Sequence, residues 1–398
     1  MSLFTKRNRD ETRSGEPFVP IKTWGDLVSV ISGRGPGKDV PISQALYDST
    51  VWACIDVLAS SISSTPVDAV RKQGGARLPV EPAPPLITAP SAIVDSDVWL
   101  YQLAASMVTD GNAFGRIVAR DSYTYPTQIE LLDPAKVTNR CVSDGVPTVT
   151  LDSRVEQLYP LGDIWHCPGK HVFAGSPFAL SPLKFASGSV DVSLSAQQFT
   201  SKWFHDGGHP TALLKVKVAD LKQEEAAAIK KAWIKATTGP EPAVVGNDID
   251  YQSVQSTLRE SGVDGAVRAT VESICRVFRV PPAMIYAAIS GQNVTYANVT
   301  QADLAYLKHS LNPYLVRIER ALGSALPARV AVRFNRNAIL QADPAARWEL
   351  YKVRLETKTI SVNEVRALED EPPFADPVYD LPGIPNTVEP AINQPSED

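Results

Sequence analysis

The segment from residue 261 to residue 322 constrains the fold more than any other part of the chain. It predicts a long helix, a break at Pro281-Pro282, a polar loop and a second long helix, because proline lacks an amide donor and restricts the residue before it. Apolar residues recur at helical spacing in both helices, so each has one apolar stripe. The stripes are Val263, Val267, Val271, Ile274 and Phe278, then Leu304, Leu307, Leu311, Leu315, Ile318 and Leu322. We expect a kink at Pro313.

A charged face accompanies the apolar stripe of the first helix. Arg268, Glu272 and Arg276 are spaced four residues apart, which allows ion pairs along the helix surface. Arg279 ends this face, and residues 287–297 are small, polar and nearly uncharged. Taken alone, the pattern predicts two core helices of an ordinary globular domain that are joined by a loop.

Hydrophobic spacing and helix-end signals predict further helices along the chain. We expect them at residues 42–64, 97–110, 182–205, 220–236, 344–357 and 362–368. Short alternating segments between the second and third of these helices predict strands. The pattern therefore mixes helices and strands over the whole length of the chain.

Composition restricts the functional classes that are open to the chain. Its 398 residues suffice for two or three domains, and a hydrophobic content of 44% suffices for a sizeable core. A net charge of −5 argues against non-specific nucleic-acid binding, so any DNA contact has to be local or transient. No apolar run reaches the length of a membrane span and the N-terminus lacks a signal-peptide core, so we expect a soluble protein made inside the cell.

Cysteine usage and the histidines give no strong sign of a reactive site. The four cysteines have no paired spacing, which argues against a zinc site or a disulfide framework and indicates a reducing cytoplasm. They are Cys54, Cys141, Cys167 and Cys275. Between His166 and His171, two histidines and a cysteine suggest a metal, but a fourth ligand at suitable spacing is missing. We interpret His166 as a polar histidine at a strand end, and we predict no metal, no cofactor and no catalytic residue.

The order of several short motifs is more specific than any one of them. Those in the helix–loop–helix segment are Phe278-Arg279-Val280-Pro281-Pro282, Thr295-Tyr296-Ala297-Asn298, Leu311-Asn312-Pro313 and Ile318-Glu319. Others are Val51-Trp52-Ala53-Cys54-Ile55, Gly111-Asn112-Ala113-Phe114, Ile164-Trp165-His166, Gly175-Ser176-Pro177 and Ser361-Val362-Asn363-Glu364-Val365-Arg366. In this order they resemble the portal protein family of tailed bacteriophages, the siphoviral head–tail connectors. The resemblance spans residues 42–370.

This resemblance implies a fold class and a division of the chain. The class is α+β: a portal fold with an α/β wing, long stem helices, a small α/β clip, a tunnel loop with a following long helix, and a short helical crown. The regions are a flexible N-terminal arm (1–41), the wing (42–180), stem helix 1 (181–209), the clip (210–256), stem helix 2 (257–282), the tunnel loop (283–297), a long helix and wing strand (298–343), the crown helices (344–370) and a disordered tail rich in proline and acid (371–398).

The resemblance also implies a function. Portal proteins form a ring, usually a dodecamer, at one capsid vertex, and this ring is the channel for DNA packaging and ejection. The implied partners are further copies of the chain, double-stranded DNA, the terminase large subunit, the major capsid or scaffold protein and a head–tail adaptor. No membrane partner and no cofactor is implied. The expected location is the portal vertex of the virion, with host cytoplasm as the site of assembly.

Three sets of residues are the candidate functional sites. The tunnel loop set, expected to touch DNA, is Ser290, Gln292, Asn293, Thr295, Tyr296 and Asn298. The stem set, for subunit contacts or channel lining, is Arg268, Glu272, Arg276 and Arg279. The clip set is a basic face, by default only solvated and otherwise suited to DNA phosphates or an acidic partner. It consists of Lys215, Lys217, Lys222, Lys230, Lys231 and Lys235.

Several alternatives remain open at this point. The same fold could serve a prophage remnant or a gene-transfer particle instead of an infectious phage. Another head–tail connector component, such as an adaptor, would usually be shorter and would lack the helix–proline–loop–helix series. A hydrolase would need a nucleophile elbow, and Ser187-Gly188-Ser189 lacks the required flanking glycine.

Overall fold

The computed structural model describes residues 40–73, 76–143, 145–172, 174–205, 212–216, 223–237, 249–253, 263–287, 296–336, 344–369 and 371–383. Its helices are α1 Ile42–Ala45, α2 Ser49–Ser63, α3 Pro85–Thr88, α4 Ser96–Thr109, α5 Pro182–His205, α6 Gln223–Thr237, α7 Val263–Phe278, α8 Tyr296–Tyr306, α9 Asn312–Ser324, α10 Pro344–Glu356 and α11 Val362–Leu368. Its strands are β1 Val67–Gln73, β2 Ala76–Pro79, β3 Asn112–Arg120, β4 Pro126–Leu132, β5 Val137–Ser143, β6 Val146–Leu151, β7 Arg154–Gln157, β8 Ile164–Pro168, β9 Ala212–Val216, β10 Ile249–Ser253 and β11 Val330–Phe334. This mixture confirms the predicted α+β class.

The strands of the described residues pair in four antiparallel sheets. β3 lies between β4 and β8, so Phe114 faces Leu132 on one side and His166 on the other. β6 lies between β5 and β7, β1 lies between β11 and β2, and β9 pairs with β10. Because Val67 pairs with Phe334, the first and the last strands of the main body belong to one sheet.

One large hydrophobic core joins α2, α4, α5, α7 and α9. Two buried tryptophans in it each find an acceptor: Trp99 Nε1 donates to the Ile129 carbonyl (2.8 Å) and Trp165 Nε1 to the Ala321 carbonyl (3.0 Å). Their ring centroids are 5.9 Å apart. A buried indole needs such a partner, so the pair fixes β4 and α9 against the same core.

A corner at Gly111 and Asn112 connects the helices to the sheet. Gly111 has φ +87°, and a side chain there would meet the Leu180 carbonyl, so only glycine fits. The fully buried Asn112 side chain donates to the Ala179 carbonyl and accepts from the Ala179 amide, both at 2.8 Å. Gly111 and Asn112, which begin the Gly111-Asn112-Ala113-Phe114 motif, therefore connect the start of β3 to the segment before α5.

A buried carboxylate on α9 holds strand β11. Glu319 accepts hydrogen bonds from the Phe334 amide (3.0 Å) and from Arg336 Nη1 (2.8 Å) and Nη2 (3.2 Å). Arg336 Nε also donates to Asn312 Oδ1 at 2.8 Å. Both polar residues of the Asn-Pro and Ile-Glu motifs thus fasten one strand to one helix.

The helical segment from α8 to α9 is irregular near Pro313, where a kink was expected. Residues Leu307–Leu311 form a π-helical turn immediately before Asn312 and Pro313. In this turn the Ser310 hydroxyl donates to the Arg279 carbonyl. Proline removes one backbone amide, and the widened turn accommodates that loss while tying the helix to the end of α7.

The first predicted helix is broken in the structure. Residues 42–64 form two helices, α1 and α2, because Asp48 is an N-cap between them. Its Oδ1 accepts from the amides of Thr50 (2.9 Å) and Val51 (3.1 Å). Aspartate is a common N-cap residue, and Asp48 therefore marks a helix start. We predicted one helix because the apolar residues after it keep helical spacing.

Part of the predicted disordered tail is folded in the structure. Residues 371–383 fold back on α11, where the Asn363 side chain donates to the Phe374 carbonyl (3.1 Å) and Asp380 Oδ1 (2.6 Å) and accepts from the Phe374 amide (2.8 Å). Arg366 adds an ion pair with Glu371 (2.9 Å). The prediction of disorder for 371–398 is therefore wrong for 371–383, because composition does not register these long-range bonds; residues 384–398 lie outside the described part.

We expect Glu319→Ala to lower the free energy of unfolding by about 3 kcal/mol or more, because the Phe334 amide and Arg336 lose their acceptor in a buried site. Chemical denaturation of both proteins measures this difference. Glu349→Ala, which removes an exposed carboxylate on α10, is the control. Equal losses in the two variants would contradict the role assigned to Glu319.

We expect Asn363→Ala to expose residues 371–383 to protease, because three hydrogen bonds hold that segment through one side chain. Limited proteolysis followed by mass determination of the fragments tests this. Gln102→Ala, at an exposed position of α4, should cleave at the wild-type rate. An unchanged cleavage pattern in Asn363→Ala would show that other contacts hold the segment.

Candidate channel and subunit-contact site

Helices α5 and α7 pack side by side, and α7 turns its charged face away from the core. Ile274, Cys275 and Phe278 are buried, whereas Arg268, Glu272 and Arg276 are exposed. The predicted amphipathic character of α7 is therefore present in the structure. The assignment of the stem set to subunit contacts or to channel lining stays a prediction.

A tight corner follows α7. Arg279, the last member of the stem set, is exposed and left-handed (φ +59°), and the Val280 amide donates to the Cys275 carbonyl (3.0 Å). Pro281 and Pro282 then start a 3₁₀ turn that ends at Ile285. Tyr286 is 97% exposed, so the corner places an aromatic side chain at the surface near the start of the predicted tunnel loop, 283–297.

Most of the tunnel loop set lies outside the described residues. This holds for Ser290, Gln292, Asn293 and Thr295. Helix α8 begins at Tyr296, so Tyr296 and Asn298 both lie in its first turn. Asn298 was expected at the start of this helix, whereas Tyr296 was expected in the loop. Of the predicted 283–297, residues 283–285 belong to the 3₁₀ turn and residues 296–297 begin α8. A signal for the earlier helix start was present, because threonine is common in the position before a helix.

The clip set is only partly described. Lys230 and Lys231 are exposed on α6, Lys235 is on the same helix, and Lys215 is in β9. Lys217 and Lys222 lie outside the described residues. The exposed Glu224 and Glu225 begin α6, so this helix is acidic at its start and basic in its later turns. This arrangement suits the ends of a helix dipole as well as a partner surface.

A cationic cluster that the sequence did not indicate lies where β8, α7 and α9 meet. Lys170 Nζ is buried, has no hydrogen-bond partner and lies 4.8 Å from the centroid of the Tyr314 ring. Burial, aided by the Arg279 charge, lowers the pKa of Lys170 to about 8. Burial and the neighbouring Lys170 and Arg279 lower the pKa of His171 to about 4. Near pH 7 the His171 imidazole is therefore neutral, whereas Lys170 is still mostly protonated but loses its proton more readily than an exposed lysine.

His166 is a structural residue in the described fold. Its Nε2 lies 3.1 Å from Asn112 Oδ1, which already accepts the Ala179 amide, so Nε2 is the donor. Its ring stacks on Phe114 with centroids 4.8 Å apart. Burial, together with the Arg140 charge, lowers the pKa of His166 to about 3, so the ring is neutral. Within the described ranges, no three histidine, cysteine or acidic side chains gather as metal ligands would.

The helices of the described segments are also too short or too polar to cross a bilayer.

Comparison with known proteins adds a family assignment. The phage portal protein family matches residues 49–370, which is most of the chain. The chain therefore belongs to the phage portal protein family.

Individual relatives agree with this assignment. A protein of Streptomyces phage phiC31 described as a probable portal protein is 27% identical over 394 residues, which cover 92% of this chain and 82% of the relative. The portal protein of Enterobacteria phage HK97 is 21% identical over 365 residues, which cover 88% of this chain and 85% of that protein.

A solved structure shows the same fold. A HK97 family phage portal protein from Corynebacterium diphtheriae aligns with a TM-score of 0.58 and 16% identity, over 76% of this chain and 97% of that one. The neck of a native gene transfer agent particle, computed with C12 symmetry, contains a chain that aligns with a TM-score of 0.55 and 19% identity, over 87% of this chain and 98% of that one.

We expect Lys170→Met to stabilise the protein at pH 7 by about 1–3 kcal/mol, because methionine fills the space without a buried charge. The unfolded chain holds this proton up to about pH 10.5, whereas the folded chain loses it near pH 8. The wild type is penalised below pH 8 and recovers as the pH rises to 10.5.

The gain from Lys170→Met should therefore shrink between pH 8 and pH 10.5. Denaturant unfolding of wild type and variant at pH 7 and pH 10 measures it. The exposed Lys184 on α5 provides the control, and Lys184→Met should change stability little at either pH. A destabilised Lys170→Met protein at pH 7 would contradict the assigned penalty.

Proposed function

We propose that the chain assembles into a dodecameric ring at one vertex of a phage capsid, and that DNA passes through this ring during packaging and ejection. The observation that carries the proposal is the α5–α7 pair, whose buried faces meet while the charged face of α7 stays exposed, in a chain of the portal family. The C12 symmetry of the similar neck structure supports twelve copies.

Exposed aromatic residues supply surfaces for contacts between copies. A ring closes when one surface of a copy binds a different surface of the next. Tyr47 just before α2, Trp52 in the first turn of α2 and Trp348 on α10 are more than half exposed in the single chain. Aromatic residues are enriched at buried interfaces, so these positions fit the seam between neighbours. The opposite charges of Glu272 and Arg276 add selectivity for one register.

The channel role requires weak contacts with DNA. A phosphate contact that is tight has to be broken at every step of translocation. The net charge of −5 and the neutral polar residues at 288–295 suit a passage that does not grip the duplex. We assign the loop set a sliding contact with DNA, with the exposed Tyr286 at its start.

The clip is the region assigned to the packaging motor and the neck. Lys230 and Lys231 are exposed there, and a basic helix surface fits an acidic partner surface. We assign docking of the terminase large subunit and, later, of a head–tail adaptor to this region, and contacts with the capsid or scaffold protein to the wing. Assembly in host cytoplasm before incorporation into the virion follows from these roles.

A gene-transfer particle is the second candidate setting. The similar chain in the neck of such a particle supports it as directly as the phage relatives support an infectious phage. The enzyme alternative has weaker support. Ser187, the nucleophile that a hydrolase would need, lies inside helix α5, where its hydroxyl donates to the Lys184 carbonyl at 2.8 Å. A nucleophile elbow instead places serine between a strand and a helix.

The purified chain, co-expressed with its scaffold protein, should form rings with a mass of twelve subunits by native mass measurement. Negative-stain images should show a central hole. Deleting 288–295, which leaves Tyr296 at the start of α8, should keep the rings and reduce packaged DNA at least tenfold in a particle assay, because the loop is assigned the DNA contact and not the subunit contact.

The matched control is Gln292→Ala with Asn293→Ala, which keeps the loop length. It should package more DNA than the deletion. Normal packaging by the deletion variant would refute the sliding contact, whereas a compact dimer with hydrolytic activity would refute the portal function itself. Rings with another subunit count would correct only the number of copies.

A further inference from the structure

The outer face of the β11–β1–β2 sheet carries a row of positive charge. Lys72 on β1 is directly opposite Arg77 on β2, so both side chains lie on the same face of the sheet. Both are exposed, as is Arg329, the residue just before β11. The three cations line one groove of about 400 Å³, which we call the basic groove. Its other lining residues are small or apolar: Val70, Ala328, Val330 and Ala331.

The charges of the basic groove are not neutralised within the described part of the chain. Lys72, Arg77 and Arg329 take part in none of the ion pairs that the described residues form. Arg333 on the same sheet differs, because it is opposite Asp68 in the register and 3.4 Å from Glu319. Like charges directly opposite each other on neighbouring strands are destabilising. The groove therefore carries an electrostatic cost that a bound anion removes.

Protection of the sheet edge explains only part of this arrangement. In the described sheet β2 is an edge strand, and charged residues and proline on such a strand discourage pairing with another chain. Arg77 and Pro79 on β2 fit that role. Lys72 is on the central strand β1, and Arg329 precedes β11 on the other side of that strand. The positive row thus extends across the sheet, beyond what edge protection requires.

The lining of the groove favours an acidic peptide over a nucleic acid. None of the lining residues is aromatic, so bases have no stacking surface there. Val70, two residues before Lys72, is on the same face and pairs with Ala331 of β11, so an apolar floor adjoins the charges. A peptide that carries an apolar side chain next to carboxylates matches both parts of the groove.

The C-terminal sequence has this chemistry. Residues 384–398 contain Glu389, Glu397 and Asp398 and no lysine or arginine, so three negative charges match the three cations. Val388 directly precedes Glu389. The segment follows Gly383, whose amide donates to the Ile360 carbonyl at 2.9 Å. A chain of this length spans at most about 50 Å, which gives the segment a wide reach from that anchor.

We propose that the basic groove is the docking site of the acidic segment 384–398. The carboxylates of the segment bind Lys72, Arg77 and Arg329, and Val388 covers the floor at Val70. Exposed ion pairs are weak singly, so docking depends on several charges together and weakens as the salt concentration rises. The contact joins the segment after α11 to the sheet that contains the first and the last strands of the main body. It does not depend on the proposed assembly of the chain.

A carbodiimide crosslinker tests the contact in the unaltered full chain. It joins a lysine amine to a carboxylate in contact with it, with the loss of one water. At low salt, mass spectrometry after proteolysis should find Lys72 joined to a carboxylate of 384–398. Sodium chloride at about 0.5 M should reduce the yield on the order of fivefold, because it screens exposed charges. The exposed Lys184 on α5 is the internal control and should stay unlinked to the segment.

The mass of the crosslinked product shows which copy supplies the segment. A product with the mass of one chain places the segment on its own groove, and a product of two chain masses places it on a neighbouring copy. Both results support the docking. Absence of a link between Lys72 and 384–398 at low salt would overturn it, as would equal linkage of Lys184.

A charge exchange separates specific docking from general attraction. Lys72→Glu with Arg77→Glu should make elastase cleavage within 384–398 faster on the order of fivefold, because an undocked segment is open to protease. Adding Glu389→Lys and Glu397→Lys to that variant should restore slow cleavage. Lys230→Glu with Lys231→Glu, two exposed positions of α6, is the matched control and should leave the cleavage rate unchanged.

The wild-type crosslink map decides the proposal even if a variant fails to fold. Failure of the reversed charges to restore slow cleavage would contradict pairing between the groove and the segment. If the segment stays unlinked and double-stranded DNA binds the wild type but not the Lys72→Glu, Arg77→Glu variant, the groove belongs to nucleic acid and the proposal is wrong.

Discussion

The buried Glu319 carboxylate is the contact on which the order of the main body depends. It satisfies the Phe334 amide and the Arg336 guanidinium at once, so β11 has a fixed place on α9. β11 in turn positions β1 in its sheet. Trp165 of β8 donates its indole N–H to the Ala321 carbonyl of the same helix, so β8 is also held against α9. One helix therefore sets the positions of two separate sheets.

Local signals sufficed for most of the helices and for the exposed charged face of α7. Proline marks the start of α5, and the Val-Pro-Pro sequence marks the end of α7, because both effects depend only on the local backbone. The structure has α5 beginning at Pro182 and α7 ending at Phe278. The charged face of α7 was visible because periodicity depends only on neighbours within the helix. The exposed positions of Arg268, Glu272 and Arg276 follow from the same periodicity.

What the sequence did not reveal depends on contacts between distant segments. The cluster around Lys170 exists only after three elements have packed, and no spacing rule describes it. The fold-back of 371–383 has the same origin, because the Asn363 side chain reaches residues 11 and 17 positions further on. Composition correctly described that segment as rich in proline and acid, but its order comes from long-range contacts with Asn363 and Arg366.

The Ser310–Arg279 hydrogen bond has a mechanical consequence. The corner after α7 is tied to the turn that continues α8 into α9, so this bond joins the end of α7 to the helix that follows the segment assigned to the tunnel loop. A load on that segment is shared between two helices and reaches the sheets through Glu319 and Trp165. Force applied at the corner after α7 is therefore passed through this hydrogen bond to α9 and on to the sheets that α9 contacts.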